Sequence, residues 1–178
     1  VMGKDDVVIS GSFHDQIIIG TETLISTGQE DGFTASILIN DFSKVNWVEN
    51  FGFHGKDRID SIFEISDNHF ISSSISRTDK IDSGFTPTFQ PLSRMDLKLV
   101  YSADGTTKEK LTIYSNGRIN NAKVVCNPSL DNPIISAFEF EGKLEWRGGE
   151  AISNGGFYLF STSVDAGFST PLKISLLV

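Results

Sequence analysis

Apolar residues in this chain fall in short runs that alternate with polar ones at a period of two, and the 3.6-residue period of an amphipathic helix is nearly absent. Alternation is sharpest in Asp96-Leu97-Lys98-Leu99-Val100-Tyr101 and in Phe138-Glu139-Phe140-Glu141. Successive side chains of a strand point to opposite faces, so these segments predict strands with one dry and one wet face. β-Branched and aromatic residues concentrate in such runs, and Gly, Asn, Asp, Ser and Pro cluster between them. The pattern predicts strands near 6–13, 16–20, 33–40, 45–51, 59–66, 69–76, 96–102, 110–115, 121–126, 134–140, 143–147, 156–164 and 171–177, with no helix. Turn chemistry stands at Asp67-Asn68, Ala103-Asp104-Gly105, Asn116-Gly117, Asp131-Asn132-Pro133, Gly148-Gly149, Asn154-Gly155-Gly156 and Asp165-Ala166-Gly167. Segment 77–94, rich in Thr, Ser, Pro and Gly, is the least regular connection. The expected fold class is all-β and antiparallel.

The same pattern recurs. Asp67-Asn68-His69-Phe70-Ile71-Ser72 is echoed 64 positions later (131 − 67 = 64) by Asp131-Asn132-Pro133-Ile134-Ile135-Ser136. At that offset Gly20 falls on Gly84, Phe33 on Leu97 and Trp47 on Leu111. A repeat of about 64 residues divides the chain into units of roughly 14–76, 77–140 and 141–178, preceded by a strand at 7–13. Each unit holds about four strands and an excursion, at 14–32, 77–95 and 141–155. Four antiparallel strands per unit make the blade of a β-propeller, and the alternative is a β-sandwich. The chain is expected to be a single repeat-built β domain. It begins at Val1 and in the middle of a repeat, so it reads as part of a longer protein or assembly.

Composition narrows the partners. The 178 residues carry a formal net charge of −8, which argues against a nucleic-acid or anionic-membrane footprint, since both need clustered Lys and Arg. No apolar run reaches the length of about 18 residues that a membrane helix requires, so no membrane insertion is expected. The lone cysteine, Cys126, reads as a small buried hydrophobe. A surface or extracellular location, or a virion, suits the repeat-built scaffold, with the cytoplasm left open.

The first unit resembles the SBBP-type repeat of bacterial seven-bladed β-propellers. The resemblance is carried by Gly11-Ser12-Phe13, Asp31-Gly32-Phe33, Trp47, Phe51-Gly52 and Asp57 or Asp60, against a pattern of Gly-x-Phe, Asp-x-Phe, Trp, Phe-Gly-Gly and a downstream Asp. The second unit departs from it, with Met95 and Leu111 at the Asp and Trp places, and Phe53 replaces the second Gly of the pair. The resemblance implies a propeller-like scaffold and no single activity. Three units fall short of a closed ring of about four to eight blades. Closure would then need other chain segments or subunits.

Candidate chemistry is sparse. Trp146, flanked by Glu145 and Arg147 and followed by a glycine pair, reads as an exposed anchor for a sugar or protein partner. Trp47 reads as packing between units. His54, Asp57 and Arg58 form a polar cluster after Phe51-Gly52, either a salt-bridged rim or part of a binding face. The spacing of His14, His54 and His69 fits no zinc pattern, and Asp104-Gly105-Thr106-Thr107 is a hairpin turn rather than a calcium loop. No cofactor, metal or catalytic residue is expected. The function expected is a non-enzymatic binding or structural module that contacts protein or glycan partners through Gln16–Glu30, Asp79–Arg94 and Trp146–Asn154. The alternatives are a structural component of an extracellular or virion assembly (appendage, tail or spike), as a homo-oligomer or in a larger assembly, and a fragment of a glycan-processing hydrolase, which would need two carboxylates sharing a site.

Overall fold

A computed structural model describes residues 5–66, 69–78, 81, 85–126, 133–153, 157–163 and 173–176. They form fifteen strands in chain order: β1 Asp6–Phe13, β2 Gln16–Ile19, β3 Glu22–Ile25, β4 Asp31–Leu38, β5 Asp41–Phe51, β6 Asp57–Ser66, β7 His69–Ser76, β8 Ser93–Tyr101, β9 Thr107–Ser115, β10 Ile119–Cys126, β11 Pro133–Phe140, β12 Gly142–Trp146, β13 Gly149–Ser153, β14 Phe157–Ser163 and β15 Lys173–Leu176. No helix occurs among the described residues, and none is long and apolar enough to cross a membrane. The all-β expectation holds. The expected turns at Asp67-Asn68, Asp131-Asn132, Asn154-Gly155-Gly156 and Asp165-Ala166-Gly167 lie outside the described residues, as does the side chain of Cys126.

The strands build three antiparallel sheets and one separate hairpin. The first sheet runs β1-β4-β5, the second β6-β7-β8-β9 and the third β10-β11-β14-β15; β12 and β13 extend the second sheet beyond β9, and β2 pairs with β3. The hydrogen-bonded sheets and the sequence units are out of step. β6 follows β5 in the chain but pairs with β7 of the next sheet, and β10 pairs with β11. The two echoed strands, β7 and β11, hold the same place, each second in a four-strand meander. Among the described residues no barrel and no ring closes.

The sheets stack through their side chains. Met95, Leu97 and Leu99 of β8 point with Ile71, Leu111, Ile113, Phe138 and Phe140 into the core between the second and third sheets. Val100 points the other way, where Val8 and Phe70 pack beneath Trp47 of the first sheet. Trp47 stacks on Phe70 at 6.1 Å with planes 3° apart, and its Nε1 donates to Ser102 O at 2.7 Å. The wet face expected of β8 is therefore covered. Its polar residues survive burial because they are paired: Arg94 donates to Asp96, Thr112 Oγ1 donates to Asp96 Oδ1 at 2.7 Å, and Lys98 meets Glu49 of β5 at 2.6 Å. Two buried serines of β7 follow the same rule: the Ser73 hydroxyl lies 2.8 Å from that of Ser61 on β6, and Ser76 donates to Asp57.

Candidate functional site

Antiparallel meanders bring alternate connections to one end. The connections after β1, β5, β7, β9 and β11 all begin there; Arg77, Thr78, Pro91 and Leu92 of the irregular segment stay at that end, whereas the β2–β3 hairpin folds back over the first sheet, with its Gly20 tip against Ser43 and Val45 of β5, and the β12–β13 hairpin folds back along β9. Backbone bonds join the sheets at this place. Gln29 N donates to Gly55 O at 3.0 Å and Asp57 N to Glu30 O at 2.7 Å, both between the first and second sheets; within the third, Glu141 N donates to Arg118 O at 3.0 Å.

Two buried carboxylates hold these connections. Asp31, at the start of β4, accepts from Thr27 N at 2.9 Å and from the hydroxyls of Ser26 and Thr27, each at 3.1 Å. Gly52 makes room for it: a Cβ there would stand 2.0 Å from the carboxylate. Asp57, at the start of β6, accepts from Phe53 N at 2.6 Å and from the Ser76 hydroxyl. Burial pushes the Asp57 carboxyl up and the neighbouring Asp31 adds to this, against the hydrogen bonds from Ser76 and Phe53 and the charge of Arg94. The Arg94 guanidinium lies 4.9 Å from the centre of the Phe53 ring. Neither Asp31 nor Asp57 lines any of the three clefts described below; both are occupied in fixing loops.

Glu145 has a similar duty. It is buried on β12, accepts from Thr88 N at 2.6 Å and Thr88 Oγ1 at 2.5 Å, and meets Lys143 Nζ at 2.5 Å. It thereby ties the strandless segment 85–92 to the β12–β13 hairpin. Burial pushes its carboxyl up, but the hydrogen bonds from Lys143 and Thr88 outweigh this and hold it below the usual range. Trp146 is not the exposed anchor expected. It is 5% exposed, packed with Ile113 and Leu144 in the core between the second and third sheets, with Gly149 closed against its ring. β12 adds to the edge of β9 and pairs Trp146 with Ile113, which turns the indole inward. Arg147 alone of that trio is exposed, at the β12–β13 turn.

The open space lies elsewhere on the same end. One cleft of about 320 Å³ is lined by Arg77, Leu92, Ser93, Gly117, Arg118, Ile119 and Glu141. A second, of about 290 Å³, is lined by His54, Gly55, Arg77, Thr78, Pro91 and Leu92. A third and smaller one lies between Glu30, Lys56, Arg58, Ile75, Arg77, Ile119 and Asn120. Arg77 borders all three, so they form one groove across the sheet ends. Of the residues singled out in the sequence, His54 and Arg58 reach this groove, Asp57 is buried at the start of the same strand as Arg58, and Trp146, Glu145 and Arg147 line none of the three clefts. Arg58 pairs with Asp60 at 2.5 Å, and Asp60 accepts from Ala122 N at 3.2 Å. The sequence did not single out Arg77, Arg118 or Leu92. Each stands in a different connection, and no local motif marks any of them.

Among the described residues no cluster of His, Cys, Asp and Glu is arranged to hold a metal ion. Comparison with protein-family models, curated proteins and solved structures finds no match to this chain.

Proposed function

We propose that this chain is a non-enzymatic binding module. In this reading a propeller-like scaffold presents its excursion-bearing end to a protein or glycan partner. The observation that carries it is the set of three clefts at that end, lined from the connections after β3, β5, β7, β9 and β11 and all bordered by Arg77. Rigid sheets with functional connections at one end are a recurrent way to build recognition surfaces. The two four-strand meanders support the propeller-like scaffold.

A glycan mask at either end tests the reading. The sequence contains no Asn-x-Ser/Thr acceptor with a residue other than Pro at x. His54→Asn with Lys56→Thr completes one at position 54, on the rim of the second and third clefts, and Asp104→Asn completes one with Thr106 at the opposite end. Both variants, glycosylated in a secretory host, would be assayed on arrays of immobilised glycans and peptides beside the unmodified chain. The mask at 54 should suppress binding and the mask at 104 should spare it. An array without hits, or equal suppression by both masks, would sink the reading.

A second reading, a structural component of a larger assembly, is favoured by one observation. Ile18, Ile25 and Phe42 are large exposed apolar residues, and all three belong to the first sheet or its hairpin. Light scattering across a concentration series decides it: self-association that Phe42→Ser relieves supports an assembly role, and a monomer at all concentrations refutes a homotypic one.

A further inference from the structure

The groove at the excursion-bearing end has a charge opposite to that of the chain. The protein carries −8 overall, yet His54, Lys56, Arg58, Arg77 and Arg118 surround the groove, against two carboxylates, Glu30 and Glu141. Glu30 is engaged, accepting from the Ser12 hydroxyl at 2.5 Å. Several cations have a carboxylate partner, Arg58 of the groove among them: Arg58 meets Asp60, Lys44 meets Asp41, Arg94 and Lys110 meet Asp96, Lys98 meets Glu49, and Lys143 meets Glu145 and Glu150. Arg77 and Arg118 are exposed and have no carboxylate partner among the described residues. Two planar guanidinium groups on one cleft are suited to a carboxylate, which each can hold with two parallel hydrogen bonds.

The rest of the lining separates the possible carboxylate carriers. Leu92 is 62% exposed on the ridge shared by the two larger clefts, and buried Ile119 lies in the first. No Phe, Tyr or Trp lines any of the three clefts. A sugar site would be expected to offer a ring for stacking, whereas aliphatic contacts beside arginines match a peptide with mixed acidic and aliphatic side chains. We propose that the groove centred on Arg77 and Arg118 binds an acidic peptide segment of a partner protein, with its carboxylates on the two arginines and an aliphatic side chain against Leu92 and Ile119. This rests on the reading that the excursion-bearing end is the binding face. The chain's own negative field opposes such a partner at long range, so the attraction is local and falls as salt screens it.

The test uses the whole chain and a fluorescein-labelled, acetylated and amidated peptide of alternating Glu and Leu, followed by anisotropy. Saturable binding that weakens with added salt is expected. Arg77→Glu and Arg118→Glu should each weaken it roughly tenfold, the pair together should abolish it, and Leu92→Ser should weaken it too. Lys44→Glu, at the far end of the first sheet, should leave it unchanged. Circular dichroism of each variant verifies the fold. The proposal is overturned if no saturable binding occurs, if a Gln–Leu peptide binds equally well, or if Lys44→Glu is as damaging as Arg77→Glu. Arginine-dependent binding of a hyaluronan oligosaccharide, with none of the peptide, would overturn it in favour of an acidic glycan. If the peptide fails while the mask at 54 still suppresses array binding, the binding face stands and only the acidic-peptide assignment falls.

Discussion

Replacing Trp146 with alanine should unfold this protein at a much lower denaturant concentration, with the loss arising in the core rather than at a surface. A tryptophan can bury roughly 150–250 Å². At 5% exposure nearly all of that is withdrawn from water. At about 25 cal/mol per Å², less the part alanine would still bury, and allowing for the cavity left behind, the loss is about 3–5 kcal/mol. With a urea slope near 2 kcal/mol/M the midpoint should drop by about 1.5–2.5 M. The melting temperature should fall by about 6–20 °C for a chain of this size. Urea titrations read by far-ultraviolet circular dichroism measure the first quantity. A Trp47→Phe background leaves Trp146 as the sole indole, because the chain has two tryptophans. Its emission should then be blue-shifted and resistant to acrylamide. A midpoint shift below about 0.3 M, the range of ordinary surface substitutions, together with a readily quenched indole, would refute the buried placement.

Gly52→Ala should destabilise by about 1–3 kcal/mol, because the new methyl group must displace the Asp31 carboxylate from its donors; in an Asp31→Ala background the same change should be nearly neutral, and additive urea midpoints would contradict the contact. Glu145, held below its usual range, contributes stability that is present above its unfolded value of about 4.3 and is lost as pH falls through its folded value. The urea-midpoint gap between wild type and Glu145→Gln should therefore be widest near neutrality and narrow on acidification; a gap that is constant with pH would refute the pairing with Lys143 and Thr88. Asp57 has the opposite sign, since its folded value is raised: wild type should gain stability relative to Asp57→Asn as pH falls through the range just above about 3.9, and a relative loss on acidification would refute its burial.

The strands were legible because each is a short β-branched or aromatic run closed by turn residues, and that information is local. β1 and β7 span the segments that the alternation marks. The return strands β3 and β13 were not legible: Glu22–Ile25 and Gly149–Ser153 are four and five residues long and gain strand character only by pairing with β2 and β12. Trp146 shows why exposure was misread. Glu145 and the glycine pair look like a surface loop in sequence, yet Glu145 is neutralised by Lys143 and Thr88, and Gly149 is what lets the indole close against the backbone. The burial itself depends on partners elsewhere in the chain: Thr88, and the β9 edge that pairs with β12. The groove was illegible for the same reason, since Arg77, Leu92 and Arg118 are brought together only by the meander.

The β12–β13 hairpin leaves the chain between two strands of the third sheet but is hydrogen-bonded to β9 of the second. In a stack of repeats each unit usually meets its neighbour through side chains alone, and the array can melt from one end. Here a backbone ladder crosses the boundary, so the second and third sheets cannot separate without stripping β12 from β9. The first sheet is joined to the second by packing around Trp47 and Phe70 and by the short bridge between Glu30 and Lys56. Under a pulling force or in hydrogen exchange, amides of the latter two sheets should yield together as one cooperative block, and the first sheet should yield before them.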